Sequence, residues 1–324
     1  MPVRFGILGV SWWTKVVWPG FAAAEEAEVT WVASRTEANA REFAAEHGIP
    51  RWTGDYDAVL EAPDVDAVFV GVPNHLHHAI AMRSLDRGKH VLQEKPMALT
   101  AEEAAAQARR ARELGLVLGV DQETRLAEGV RDLPGLIADR VGPLRKVLVG
   151  LTLSGGAWGG WRGDPALSGG TPLEMVIHQL DLARWLFGRD PVRVFAHGGD
   201  VAGQDLTVLI DFGEGDSAII DVCWRCIGFR QRIECYGERG YVVQDIGMPD
   251  GSGWQTVATA GGAERRKVAF AVQGPATFAR LVRGFCGAVA RGEPLPVAAE
   301  DGVWAVRIGV AARNSLRRGE WVRP

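Results

Sequence analysis

The chain has 324 residues, 47% of them apolar and 23% charged, with a net charge of −4 at neutral pH. This length exceeds one typical domain and supplies enough apolar material for two cores. The mild acidity gives no reason to expect nucleic acid or an anionic membrane as partner, and no apolar run approaches the ~20 residues that span a bilayer.

Met1-Pro2-Val3-Arg4-Phe5 enters a strand at once and leaves no room for a signal peptide, so a cytoplasmic protein is expected. Val3–Leu8 reads as that strand and ends in Gly9, with a helix-compatible segment from about Trp12. Strands at Val29–Ala33, Ala67–Val72, His90–Leu92 and Leu116–Val120 then alternate with helices at Ala38–His47, His77–Asp86 and Ala101–Leu114. Gly48, Gly88 and Gly115 close those helices. The alternation predicts a doubly wound parallel sheet, a dinucleotide-binding Rossmann domain over residues 1–122.

The first strand–helix turn of such a domain carries Gly-x-Gly-x-x-Gly/Ala when it cradles a pyrophosphate. Here it reads Gly9-Val10-Ser11-Trp12-Trp13-Thr14, with only the first glycine in place. Ser11 adds a Cβ where close approach is needed, but its hydroxyl is able to donate to a phosphate oxygen. Gly9, Ser11, Trp12 and Trp13 are therefore cofactor candidates. At the end of the second strand, where a carboxylate usually grips the adenosine ribose, stand Ser34 and Arg35. A hydroxyl and a guanidinium fork suit a 2′-phosphate, so NADP(H) is favoured and NAD(H) remains possible.

Pro73-Asn74-His75-Leu76-His77-His78 follows the third strand. No carboxylate or cysteine lies at ligand spacing, so Pro73, Asn74 and His77 read as a cofactor-lining loop and no metal is expected. The strand His90–Leu92 stops at Glu94-Lys95-Pro96, where proline has no N–H to extend a ladder. Ligands of open α/β sheets lie beyond the carboxyl ends of strands, which makes Glu94 and Lys95 site candidates.

These pieces together resemble the Gfo/Idh/MocA family of oxidoreductases. The resemblance rests on Gly6-Ile7-Leu8-Gly9, on Gly71-Val72-Pro73-Asn74-His75-Leu76-His77 and on Gly88-Lys89-His90-Val91 leading into Glu94-Lys95-Pro96. Trp161-Arg162-x-Asp164-Pro165 with Ser168-Gly169-Gly170, and the tail Glu300-Asp301-Gly302 with Ala312-x-x-Ser315, extend it over essentially the whole chain. It implies a second α/β domain, residues 123–324, with a large open, mostly antiparallel sheet that binds substrate and mediates a homodimer or homotetramer. It also implies hydride transfer to or from a sugar, cyclitol or related polyol, with Lys95 near both nicotinamide and the substrate hydroxyl.

Thr171–Phe187 reads as one helix closed by Gly188, with Glu174, His178, Asp181 and Trp185 along one face. The family pattern is aspartate, three residues, then a histidine acting as general base. His178 matches, and Glu174 replaces the aspartate with a longer carboxylate. The family also places an arginine where Arg125 stands, so Arg125, Trp161, Arg162, Glu174 and His178 are substrate-binding candidates. Lys95, His178 and Glu174 are the catalytic candidates. The substitutions at Ser11, Thr14 and Glu174 leave two other readings open: a non-catalytic sensor or scaffold, and redox-assisted elimination or glycoside cleavage with tightly held NAD(H).

From Val147 to Val243 apolar runs alternate with turn signals, the rhythm of an antiparallel sheet. Trp158 and Trp161 flank the glycine-rich segment 155–160, Gly247–Gly262 reads as a loop, and Phe278–Arg291 as a helix. Cys223-x-x-Cys226 lies in a strand-like run, where residues three apart point to opposite faces, so neither a disulfide framework nor a zinc site is expected.

Overall fold

The computed structural model describes residues 1–155, 158–201, 204–247, 252–269 and 273–324. The chain forms two compact units, one of Met1–Leu126 with Gln273–Val303 and one of Ala127–Val272 with Trp304–Pro324. This differs from a single cut after residue 122, because a late segment returns to the first unit.

In the first unit the elements follow in order as β1 (Val3–Leu8), α1 (Trp12–Ala22), β2 (Ala27–Ala33), α2 (Glu37–His47), β3 (Arg51–Thr53) and α3 (Tyr56–Glu61). Then come β4 (Ala67–Val70), α4 (Asn74–Asp86), β5 (His90–Gln93), α5 (Ala101–Leu114) and β6 (Leu118–Val120). The strands pair in parallel in the order β3-β2-β1-β4-β5-β6. That order reverses direction between β1 and β4, the point where such sheets bind ligands. Residues of β4 and β5 are buried in runs rather than alternately, as expected when helices cover both faces of a parallel sheet.

The second unit starts with α6 (Leu133–Leu136) and β7 (Leu144–Ser154), then α7 (Pro165–Ser168), α8 (Gly170–Glu174), α9 (Ile177–Phe187), β8 (Arg193–Gly198), β9 (Leu206–Gly213) and β10 (Asp216–Cys223). It continues with β11 (Arg225–Gly237), β12 (Gly240–Ile246), β13 (Ser252–Thr259) and β14 (Gly262–Ala269). The eight strands lie in the order β14-β13-β12-β11-β7-β10-β9-β8. Every pair is antiparallel except β7 with β10. Strict alternation of buried and half-buried residues along β9 gives the sheet one apolar face. Leu180, Ala183 and Leu186 of α9 join Val147, Val149, Ile220 and Val222 of the strands in one core.

The last two helices are α10 (Pro275–Arg291), in the first unit, and α11 (Ala299–Arg318), which begins in the first unit and continues in the second. α10 packs directly on α1, so closely that a Cβ on Gly20 would stand 2.3 Å from Cβ of Phe278.

Three local expectations are corrected. The segment 247–262 is not simply a loop: residues 248–251 lie outside the described residues, but Ser252–Thr259 is β13, paired with β12 from Gly253 to Thr259. Its glycines misled the reading, while Trp254, Val257 and Thr256 supply the strand chemistry. Cys223 and Cys226 do not sit on one continuous strand. β10 ends at Cys223, Trp224 donates its N–H to Asp205 Oδ1 at 2.8 Å, and across this break the two cysteines form a disulfide. The segment 171–187 is two helices rather than one. The Thr171 carbonyl accepts both Met175 N (3.0 Å) and Val176 N (3.1 Å), which closes α8, and α9 restarts from the Val176 carbonyl.

Candidate active site

The glycine turn after β1 is built for close backbone approach. Gly9 has φ +101°, and a Cβ there would lie 2.7 Å from the Gly71 carbonyl oxygen at the tip of β4. Ser11 and Thr14, which replace the later glycines, are bound to each other. Ser11 caps α1 by accepting Thr14 N at 3.2 Å, and Thr14 Oγ1 accepts Ser11 N at 3.3 Å and donates to the Gly9 carbonyl at 2.8 Å. The reciprocal bonds form a capping box that fixes the turn at the start of a helix. A glycine turn running into a helix N-terminus at the reversal of strand order fits a dinucleotide pyrophosphate. Gly9→Ala should therefore cost a few kcal/mol of stability through strain and collision, read as a lower midpoint in urea unfolding.

Trp12 is exposed, whereas the Trp13 indole is packed edge-on against Phe278 and donates its Nε1–H to Glu94 Oε1. At the end of β2, Ser34 is buried and tied to β3 through Ser34 N to Thr53 O (3.2 Å), while Arg35 is exposed. Tyr56 stands beside Arg35, which the sequence reading missed: burial pushes its phenol pKa up, and the Arg35 backbone N–H and charge oppose the shift.

Pro73 precedes α4 with extended backbone, and Asn74 is buried in its first turn. His77 braces two strand-tip loops. Its ring nitrogens lie 2.7 Å from the Pro96 carbonyl and 2.7 Å from the Val72 carbonyl, and the side chain is fully buried. These contacts give His77 a bracing role within the loop that follows β4.

Glu94 follows β5 and Asp121 follows β6. The register sets Gln93 opposite Val120, so the two acids occupy adjacent strand tips. Both are buried, and burial is the main force pushing both carboxyl pKa values up, Asp121 to about 6. For Glu94 the charge and hydrogen bond of Asp121 add to the rise and Lys95 opposes it. For Asp121 the bond from Glu94 comes next and opposes the rise, as do the Trp13 indole and Lys95. Sequence reading named Glu94 and overlooked Asp121; an acid directly beyond an apolar strand, beside the Glu-Lys-Pro strand, was the available signal. Arg125, the substrate-binding candidate of the first unit, is buried with its guanidinium 3.2 Å from Asp301, and that carboxylate satisfies a charge that burial otherwise makes costly.

In the second unit Glu174 ends α8 and is buried, and Arg162 Nε donates to its Oε1 at 3.0 Å. The Arg162 guanidinium also lies 4.5 Å from the Trp161 ring centroid and 5.2 Å from that of Trp158. A partly buried ion pair capped by two indole faces holds Glu174 in one place. His178 is half-buried in the first turn of α9. The interruption after Glu174 means that Glu174 and His178 are not on one uninterrupted helical face. Residues 156–157 of the glycine-rich segment lie outside the described residues. Among the described residues, no group of three or more histidines, cysteines or acids is arranged to hold a metal. No helix there is long and apolar enough to cross a membrane.

A six-stranded dinucleotide sheet with a glycine turn and a lysine at a strand tip defines an NAD(P)-binding oxidoreductase. Residues 3–122 match the oxidoreductase family with an NAD-binding Rossmann fold, and residues 136–243 match the GFO/IDH/MocA C-terminal domain. An uncharacterized oxidoreductase of Rhizobium meliloti is 30% identical, with 98% of each chain covered. The inositol 2-dehydrogenase of Rhizobium meliloti strain 1021 is 28% identical over 98% of this chain and 97% of its own. The solved aldose–aldose oxidoreductase of Caulobacter crescentus, 26% identical, superposes with a TM-score of 0.87 over 100% of both chains. The chain belongs to the GFO/IDH/MocA family of oxidoreductases.

Proposed function

We propose that the protein transfers a hydride between a nicotinamide dinucleotide and a hydroxyl or keto carbon of a sugar, cyclitol or related polyol. The observation that carries this reading is Lys95, held at the stop of β5 in the same sheet as the Gly9 turn. Relatives whose names specify inositol and aldoses support the substrate class.

The residues that would hold the cofactor are Gly9, Ser11 and Thr14 at the pyrophosphate, Ser34 and Arg35 at the adenosine ribose, and the tips of β4 and β5 at the nicotinamide. When bound, the nicotinamide supplies or accepts the hydride. In the oxidising direction His178 accepts the substrate hydroxyl proton at a ring nitrogen. The role of the Lys95 ammonium is to donate a hydrogen bond to a substrate oxygen and stabilise negative charge that develops on it. Glu174, fixed by Arg162, orients substrate hydroxyls, and the Trp161 ring holds the Arg162 guanidinium beside it. In the reducing direction the same groups return the proton. The proposal extends to a homodimer or homotetramer through the open sheet, whose outer face exposes Tyr241 and Trp254.

NADP(H) is the proposed preference, because exposed Arg35 stands where a carboxylate would otherwise repel a 2′-phosphate. Titration with NADPH and NADH, followed by tryptophan fluorescence, tests this reading. Binding should quench the emission, since Trp12 and Trp13 open the helix after the glycine turn. Arg35→Ala should weaken NADPH by roughly ten- to a hundred-fold and NADH by much less, the worth of a charge-assisted bond. Equal losses would remove the 2′-phosphate assignment, and absence of binding by either dinucleotide would overturn the proposed reaction.

A further inference from the structure

Two buried acids at neighbouring strand tips are a physical problem that the fold has to solve. Glu94 is 5% exposed and Asp121 is fully buried, and the donors that face Asp121, the Trp13 indole and the Glu123 backbone N–H, are neutral groups that leave its charge uncompensated. Two adjacent buried carboxylates resist joint ionisation, because desolvation and mutual repulsion act in the same direction. Binding a cation is one way out, but the side chains are not arranged as a metal site. Sharing a proton is the other.

The pattern of bonds assigns that proton. The Trp13 Nε1–H points at Glu94 Oε1, which leaves the other Glu94 oxygen to face Asp121. A proton on Glu94 then donates to Asp121, which the Glu123 backbone N–H helps to hold as the ionised acceptor, while the indole fixes the carbonyl oxygen of Glu94. Trp13 is itself immobilised against Phe278 of α10, so the clamp is rigid.

We propose that Glu94 and Asp121 share one proton, and that this pair, clamped by Trp13, presents a single negative charge that positions Lys95. The role assigned to Lys95 rests on the proposed hydride transfer; the shared proton does not. The charges around the pair are few. Lys95 follows Glu94 directly, and Glu123 adds a further acid from the turn beyond β6. Arg125 in that turn is neutralised by Asp301 of α11, and Arg280 of α10 donates to the Leu126 carbonyl at 3.2 Å. Lys95 is thus the cation through which the pair acts, as both carboxyl groups register its charge.

Asp121 and Glu94 are positioning residues in this arrangement, and infrared difference spectroscopy on the full chain detects their proton directly. At neutral pH a buried protonated carboxyl stretch is expected, lost in Glu94→Gln and shifted in Asp121→Asn. Absence of that band, or a band that both substitutions leave unchanged, overturns the shared proton whether or not the enzyme turns over any substrate tried. The second readout is the pH profile of kcat. With Asp121 pushed up to about 6, protonating it at lower pH neutralises the pair and removes the counter-charge of Lys95. The acid limb should move by about one pH unit or more in Asp121→Asn, with dinucleotide affinity within about three-fold, and return in Asp121→Glu. A correct infrared signature with an unmoved acid limb would overturn the positioning of Lys95 and keep the pair.

Discussion

Lys95→Ala is expected to lower kcat by about 10²–10⁴-fold while NADPH and NADH affinities stay within about three-fold. The split follows from where Lys95 sits. Glu94 N donates to the Val70 carbonyl at 3.0 Å, so the backbone just ahead of Lys95 is locked between β4 and β5. The elements proposed to hold the pyrophosphate and the adenosine ribose — the Gly9 turn, the α1 cap and the end of β2 — do not depend on the ammonium, and only the nicotinamide end lies near it. Removing it deletes a donor whose value grows as charge develops on the reacting oxygen, which lowers kcat more than substrate binding. Folding should be little affected, because the backbone bonds persist and the side chain is only half-buried. Steady-state kinetics beside equilibrium titration checks both halves. Unchanged turnover would remove Lys95 from the chemistry, and a parallel loss of dinucleotide affinity would make it a binding residue instead.

Much of the first unit was legible because its signals are local. Apolar runs of strand length, glycines at helix ends and a glycine at the first turn each have one physical reading, and the observed strand order agrees with them. Short pieces with weak signals escaped: β3 has three residues and α3 six, too few for periodicity to register. The return of α10 to the first unit was equally hidden. Its amphipathic pattern states that one face is buried, not which core buries it, and the close approach at Gly20 and Phe278 is decided only in three dimensions.

The candidate site was legible as residue types and less so as partners. A motif names Glu94, Lys95 and His178, but says nothing of Asp121 standing beside Glu94, since strand register across a crossover is a long-range property. Arg125 is legible as a matching arginine, but its ion-pair partner Asp301 lies 176 positions further along the chain and meets it at 3.2 Å, a pairing that no local signal announces. The split between α8 and α9 escaped for a subtler reason: Pro172 and Gly188 mark the outer limits of the segment, and no residue type within it forbids a continuous helix. Only the doubled acceptance by the Thr171 carbonyl breaks it.

That break frames the second large effect. His178→Ala should reduce kcat by about 10²–10⁴-fold, the usual contribution of a positioned general base. α9 restarts at the Val176 carbonyl, which accepts Gln179 N at 3.0 Å and Leu180 N at 3.1 Å, so His178 projects from a first turn whose start is fixed by backbone bonds. Buried Leu180, Ala183 and Leu186 anchor the remainder of the helix in the sheet core. Alanine is a good helix former, so the substitution should change unfolding stability by no more than about 0.5–1 kcal/mol. Glu174 supplies the contrast. Its carboxylate is buried against Arg162, and Glu174→Ala leaves the guanidinium without its partner, so that variant should lose stability as well as activity. Parallel urea unfolding and kinetics on the two variants separate a residue that handles a proton from one that builds the wall around it. If His178→Ala retains wild-type turnover, the proton leaves the substrate by another group, and Lys95 becomes the residue to test as base.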